Sequence, residues 1–110
     1  MSVLGELQPN KVFKYFEEIC SIPHGSRNLQ QISDYLVDFA KAHGLKYRQD
    51  EDLNVIIWKD GSKGYEASEP VILQGHMDMV AVKEVDCDKD MEKEGLDLEI
   101  NGDYISAKGT

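Results

Sequence analysis

The hydrophobic period of this chain changes once, near Gly44, and that change limits what it can fold into. Before Gly44, apolar residues recur at spacings of three and four; after it they recur at two, and a pattern of one period does not settle into the other structure. In "PNKVFKYFEEIC", Val12, Phe13, Phe16, Ile19 and Cys20 share a helical face, with Lys11, Lys14, Glu17 and Glu18 mostly opposite. Pro9 suits the first turn, where its missing N–H costs nothing. In "NLQQISDYLVDFAKAHG" the same spacing links Ile32, Tyr35, Leu36, Phe39, Ala40 and His43. Ser26 or Asn28 can cap this second helix through a side-chain oxygen, and Gly44 can take the left-handed stop. Between the helices, "SIPHGSRN" is broken by Pro23 and Gly25 and reads as a loop.

Beyond Gly44, "LKYRQ" alternates as a half-exposed strand. "NVIIWK" is β-branched and aromatic, as in a strand covered on both faces. "DGSKGYEASEP" is a polar loop, and "VILQG" predicts a third, central strand. "AVKEVDCDKDMEKE" has no sustained apolar face and reads as loop, after which "LDLEI", "NG" and "DYISAKG" form a hairpin pattern. The fold class expected is α/β, with two N-terminal helices packed on a mixed β-sheet. At 110 residues there is room for one compact domain with a modest core. The order of elements reaches Thr110 directly after a strand, without those that would cover the second face of such a sheet. A piece of a larger domain is therefore expected.

Charge and composition narrow the function classes. A formal net charge of -9 argues against binding a phosphate backbone, so no nucleic-acid partner is expected. No segment approaches the ~20 apolar residues of a membrane span, and "MSVLGELQPN" has neither the basic start nor the apolar core of an export signal. A cytoplasmic location without membrane attachment follows as the expectation. Cys20 and Cys87 lie far apart, show no metal or redox spacing, and read as two reduced thiols.

The chemistry concentrates in "VILQGHMDMV", where His76 and Asp78 follow an apolar run and a glycine. Residues i and i+2 of an extended chain point to one side, so the carboxylate can reach the imidazole or a site the imidazole also touches. A carboxylate accepting from one ring nitrogen fixes the tautomer and leaves the other free to bind a metal. Gly75 would permit close backbone approach, and strand carboxyl ends are where open α/β sheets place ligands. A buried His–Asp hydrogen bond serving structure alone uses the same two residues.

"PVILQGHMDMV" resembles the metal-binding signature of the dizinc exopeptidases that include the aminoacyl-histidine dipeptidase (peptidase D) family. The likeness runs from about Leu7 to Thr110. "FEEICSIPHGSRNLQQISDYLVDFAKAHGL" resembles that family's opening helix, Ile-Pro-His loop and second helix. "DLNVIIWK" resembles its next strand, and "LDLEINGDYISAKGT" the hairpin leading to a Gly-Thr-Thr-Leu-Gly motif. The resemblance implies His76 as a zinc ligand and Asp78 as the residue that orients it, usually termed catalytic. It also implies a pair of zinc ions per active site and a water that attacks the peptide carbonyl of a small peptide substrate.

The bridging aspartate and general-base glutamate of the family pattern lie beyond Gly109-Thr110, as does the lid domain through which members form homodimers. The expected role is thus the N-terminal portion of a zinc-dependent dipeptidase acting on short unblocked peptides, Xaa-His among them, with this chain inactive alone. Two alternatives stay open: a non-catalytic peptidase-like scaffold or binding module, and a related tripeptidase or aminoacylase. Outside the signature, His24 reads as capping or packing and His43 as structural or surface. The calcium-like spacing of Asp86, Asp88 and Asp90 fails, because Met91 stands where a glycine is needed. Two aspartates flanking Cys87 disfavour its thiolate.

Overall fold

The computed structural model describes residues 2–110. The chain divides into two compact units: one is Met1–Ile32 with Asp78–Thr110, the other Ser33–Met77. Each is built chiefly from one helix and one two-stranded antiparallel hairpin.

In the first unit, α1 (Asn10–Cys20) starts after Pro9, which stands at the N-cap, one position before the first turn. Its last turn is closed by Ser21, whose hydroxyl donates to the Glu18 carbonyl at 2.6 Å. The hairpin joins β3 (Leu98–Asn101) to β4 (Tyr104–Ala107). Leu4, Cys20 and Leu98 form the buried core, with Leu7, Phe13, Leu96, Ile105 and Ala107 packed against it. The expected α1 face is therefore only half used: Phe13 and Cys20 point inward, whereas Val12 and Phe16 are exposed. The hairpin turn is also displaced by one residue from the "NG" reading. Asn101 pairs with Tyr104, so the loop is Gly102–Asp103. Gly102, with φ 61°, supplies the positive angle that a type II′ turn requires at its first central position.

α2 (Gln30–Ala42), of which residues 33–42 belong to the second unit, ends where expected. Gly44 has φ 64°, and the N–H groups of Gly44 and Leu45 donate to the Lys41 and Ala40 carbonyls at 3.1 and 2.9 Å. These are the paired bonds of a Schellman stop. β1 (Lys46–Gln49) and β2 (Val55–Trp58) pair from Lys46↔Trp58 to Gln49↔Val55. Their connection is tied by Asp50, whose carboxylate accepts from the Asp52 and Asn54 N–H groups and the Asn54 amide at 2.9–3.0 Å. The Asn54 amide, followed by those backbone donors, holds the Asp50 carboxyl below its ordinary value. Ser33 is fully buried and donates to the Leu53 carbonyl at 2.7 Å while accepting from the Gln49 amide at 2.8 Å, fastening α2 to the hairpin.

The α/β class holds, and the sheet differs from expectation. Two separate antiparallel pairs stand where one mixed sheet was predicted. "VILQG" forms no strand: Val71, Ile72 and Leu73 are 84%, 87% and 93% exposed. A run of this composition becomes a strand only when neighbours pair with its backbone and cover both faces. Among the described residues neither hairpin pairs along its open edges with residues 71–75. β2 is likewise covered on one side only, with Ile56 and Trp58 exposed.

Candidate functional site

Asp78 is the first residue of the chain's return to the first unit, and the backbone there is fixed on the loop after α1. The Met79 N–H donates to the His24 carbonyl at 3.0 Å, within an isolated parallel bridge between Gly25 and Met79. Gly25 is required at that crossing, because a Cβ on it would stand 2.7 Å from the Ala81 Cβ. Gly75, expected to serve such an approach, has nothing within 4 Å of where its Cβ would be. The close passage belongs to the other glycine.

Beside the bridge, the Ser26 hydroxyl donates to Asp78 Oδ2 at 2.6 Å. The two cap candidates of α2 have partners elsewhere: the Ser26 hydroxyl on Asp78, and the Asn28 side-chain N–H on the Glu92 carbonyl at 3.0 Å. Arg27 between them has φ 69°, the left-handed region that a non-glycine residue enters at a cost of ~1–2 kcal/mol. Ser26, Arg27, Asn28, Met79 and Lys93 line an open groove of about 760 Å³. A half-buried carboxylate can orient a neighbour or accept a proton; it cannot by itself bind a metal.

His76 is exposed, in the last residues of the second unit. His24 is buried, and its Nδ1 lies 2.6 Å from the Ile22 carbonyl. A carbonyl only accepts, so Nδ1 carries the proton and the bond fixes the His24 tautomer on its own loop. His43 stacks on Phe39 with ring centroids 4.1 Å apart, and its Nδ1 bonds the Phe39 carbonyl. Both cysteines are free. Burial, and then the Glu17 charge, push the Cys20 thiol up, against a thiolate role.

Among the described residues no group of three His, Cys, Asp or Glu side chains is placed to hold a metal ion, and the acidic run at 84–97 forms none. Asp90 there binds its own turn, accepting from the Glu92 N–H at 3.1 Å. Sequence reasoning missed Ser26 and Gly25 as site residues. Their partners lie more than fifty positions away, and no local pattern announces such pairs.

No protein-family model matches the sequence. The cytosol non-specific dipeptidase of Escherichia coli (strain K12) is 38% identical over 110 residues, which is 100% of this chain and 23% of that protein. The crystal structure of the aminoacylhistidine dipeptidase from Vibrio alginolyticus superposes with a TM-score of 0.92 at 36% identity, covering 97% of this chain and 22% of that one. The chain therefore spans under a quarter of the length of the relatives it matches. Among the described residues no helix is long and apolar enough to cross a membrane.

Proposed function

We propose that this chain, whose kinship to the aminoacyl-histidine dipeptidase family both comparisons support, is the N-terminal portion of the catalytic domain of a zinc-dependent dipeptidase. The observation that carries the reading is identity of 38% sustained over the whole chain, with "QGHMDMV" inside the matched segment. The longer enzyme hydrolyses short unblocked peptides in the cytoplasm. One relative is named non-specific and the other for aminoacylhistidine, so Xaa-His dipeptides fall within the proposed range.

In this reading His76 supplies one zinc ligand and Asp78 is the residue that orients it, while the lid domain makes the enzyme a homodimer. The zinc pair supplies activated water and polarises the peptide carbonyl. Catalytic zinc takes about three protein ligands, so one histidine leaves the 110-residue chain without hydrolytic activity.

The test is made on the longer enzyme that carries these residues. His76→Ala should remove at least one tightly held zinc by mass spectrometry. Asp78→Asn should lower turnover of a Xaa-His dipeptide far more than zinc content. Unchanged zinc in the first variant overturns the ligand assignment; near-normal turnover in the second overturns the catalytic one. If the reading frame stops at Thr110, the scaffold reading leads instead.

A further inference from the structure

We propose that Ser26 is a positioning residue for Asp78: its hydroxyl selects the orientation in which the carboxylate acts. The inference rests on the reading of Asp78 as a catalytic residue and adds a second residue to it.

The terminal torsion of an aspartate is soft, so a half-buried carboxylate needs a partner to choose its plane. Ser26 supplies one at 2.6 Å, within the short range of O–H donors to carboxylates. The serine is itself anchored on both sides. Before it, Gly25 is locked against Met79 and Ala81 with no room for a side chain. After it, the Asn28 N–H donates to the Gly25 carbonyl at 2.9 Å, and the Asn28 amide reaches the Glu92 carbonyl. Arg27 is held left-handed between these anchors. Backbone strain of this kind persists where the surroundings over-determine it, and it gathers at working sites.

Stability gives a poorer account of the same bond. It joins an exposed hydroxyl to a half-buried carboxylate, where water competes for both partners and offsets much of what the bond adds to folding. A serine placed so rigidly against one carboxylate oxygen, at the rim of a groove, serves the carboxylate's direction.

The test uses the longer enzyme, with kcat and KM for a Xaa-His dipeptide, zinc content by mass spectrometry, and a crystal structure of Ser26→Ala. The expected result is a kcat lowered by ~10-fold or more, the scale of lost supporting contacts. KM should stay within about twofold and zinc content should be unchanged, while the Asp78 carboxylate rotates in the crystal. Ser26→Thr, which keeps the hydroxyl, should recover most of the turnover. A normal kcat in Ser26→Ala, where Asp78→Asn is inactive, overturns the positioning role and leaves the catalytic reading standing. Loss of activity that tracks loss of folded enzyme, without rescue by Ser26→Thr, also overturns it, as a structural contact. A near-normal Asp78→Asn removes the catalytic reading beneath it.

Discussion

Ser33→Ala is the sharpest probe of how the second unit is held together. The Ser33 hydroxyl is 0% exposed and serves two partners, the Leu53 carbonyl at 2.7 Å and the Gln49 amide at 2.8 Å. Removing it affects them unequally. Gln49 keeps its bond to Asp34 at 3.0 Å. The half-buried Leu53 loses the donor to its carbonyl while already holding φ 70°. Leaving a part-buried acceptor without its donor costs ~1 kcal/mol, towards the lower end of the range for buried groups. Gln49 adds little, because its remaining bond and solvent compensate. For a chain of this size each kcal/mol corresponds to ~4–8 °C in the melting midpoint. Thermal and urea unfolding should show this loss at unchanged urea m-value, and amide exchange should place the weakening between α2 and the β1–β2 connection. A destabilisation below ~0.5 kcal/mol, the level of an ordinary surface change, would refute the claim that Ser33 fastens helix to hairpin.

Two further outcomes follow from contacts in the first unit. Gly25→Ala should destabilise by ~1–3 kcal/mol because the new methyl meets Ala81, and Ala81→Gly should restore part of the loss in urea titration. Additive losses would show that the clash lies elsewhere. The Glu17 carboxyl is held below its ordinary value of 4.5, first by the Ser2 hydroxyl and further by the Leu4 and Val3 N–H groups. A lowered folded value means the stabilisation is present above the unfolded pKa and lost as pH falls through the folded one. The protection factors of the Val3 and Leu4 amides should therefore fall on acidification from pH ~5 to ~3, and Glu17→Gln should remove that dependence; flat protection in the wild type would contradict it.

Features whose causes are local were legible in the sequence. Both helices, the β3–β4 hairpin and the two strands β1 and β2 follow from the period of the chain, though not the pairing of β1 with β2, and the stop at Gly44 needs only a residue that tolerates positive φ. What depended on distant partners was not. The all-apolar run at 71–73 carries a strand's composition, but pairing decides whether a strand exists. The α1 stripe looked uniformly inward, yet the packing around Leu4 and Leu98 reaches Phe13 and Cys20 and stops short of Val12 and Phe16. At the candidate site, His76 and Asp78 announce themselves by spacing. Ser26 looked like a helix cap because serine before a helix usually is one, and only the crossing at Gly25 turns it towards Asp78.

The discontinuity of the first unit has a consequence for how the chain comes to be folded. Its helix closes against residues near the opposite end of the sequence: the Leu96 N–H donates to the Cys20 carbonyl at 2.8 Å, and Gly95 lies where a Cβ would strike the Ser21 backbone. Residues 33–77, by contrast, are contiguous. Short loops close sooner than long ones. On a ribosome the middle of this chain can be ordered while α1, emerged earlier, still waits for partners not yet synthesised. The usual sequence of N-terminus first is reversed. During that interval Val12, Phe13 and Phe16 are open to water together, and this is when a holding chaperone would find the nascent chain.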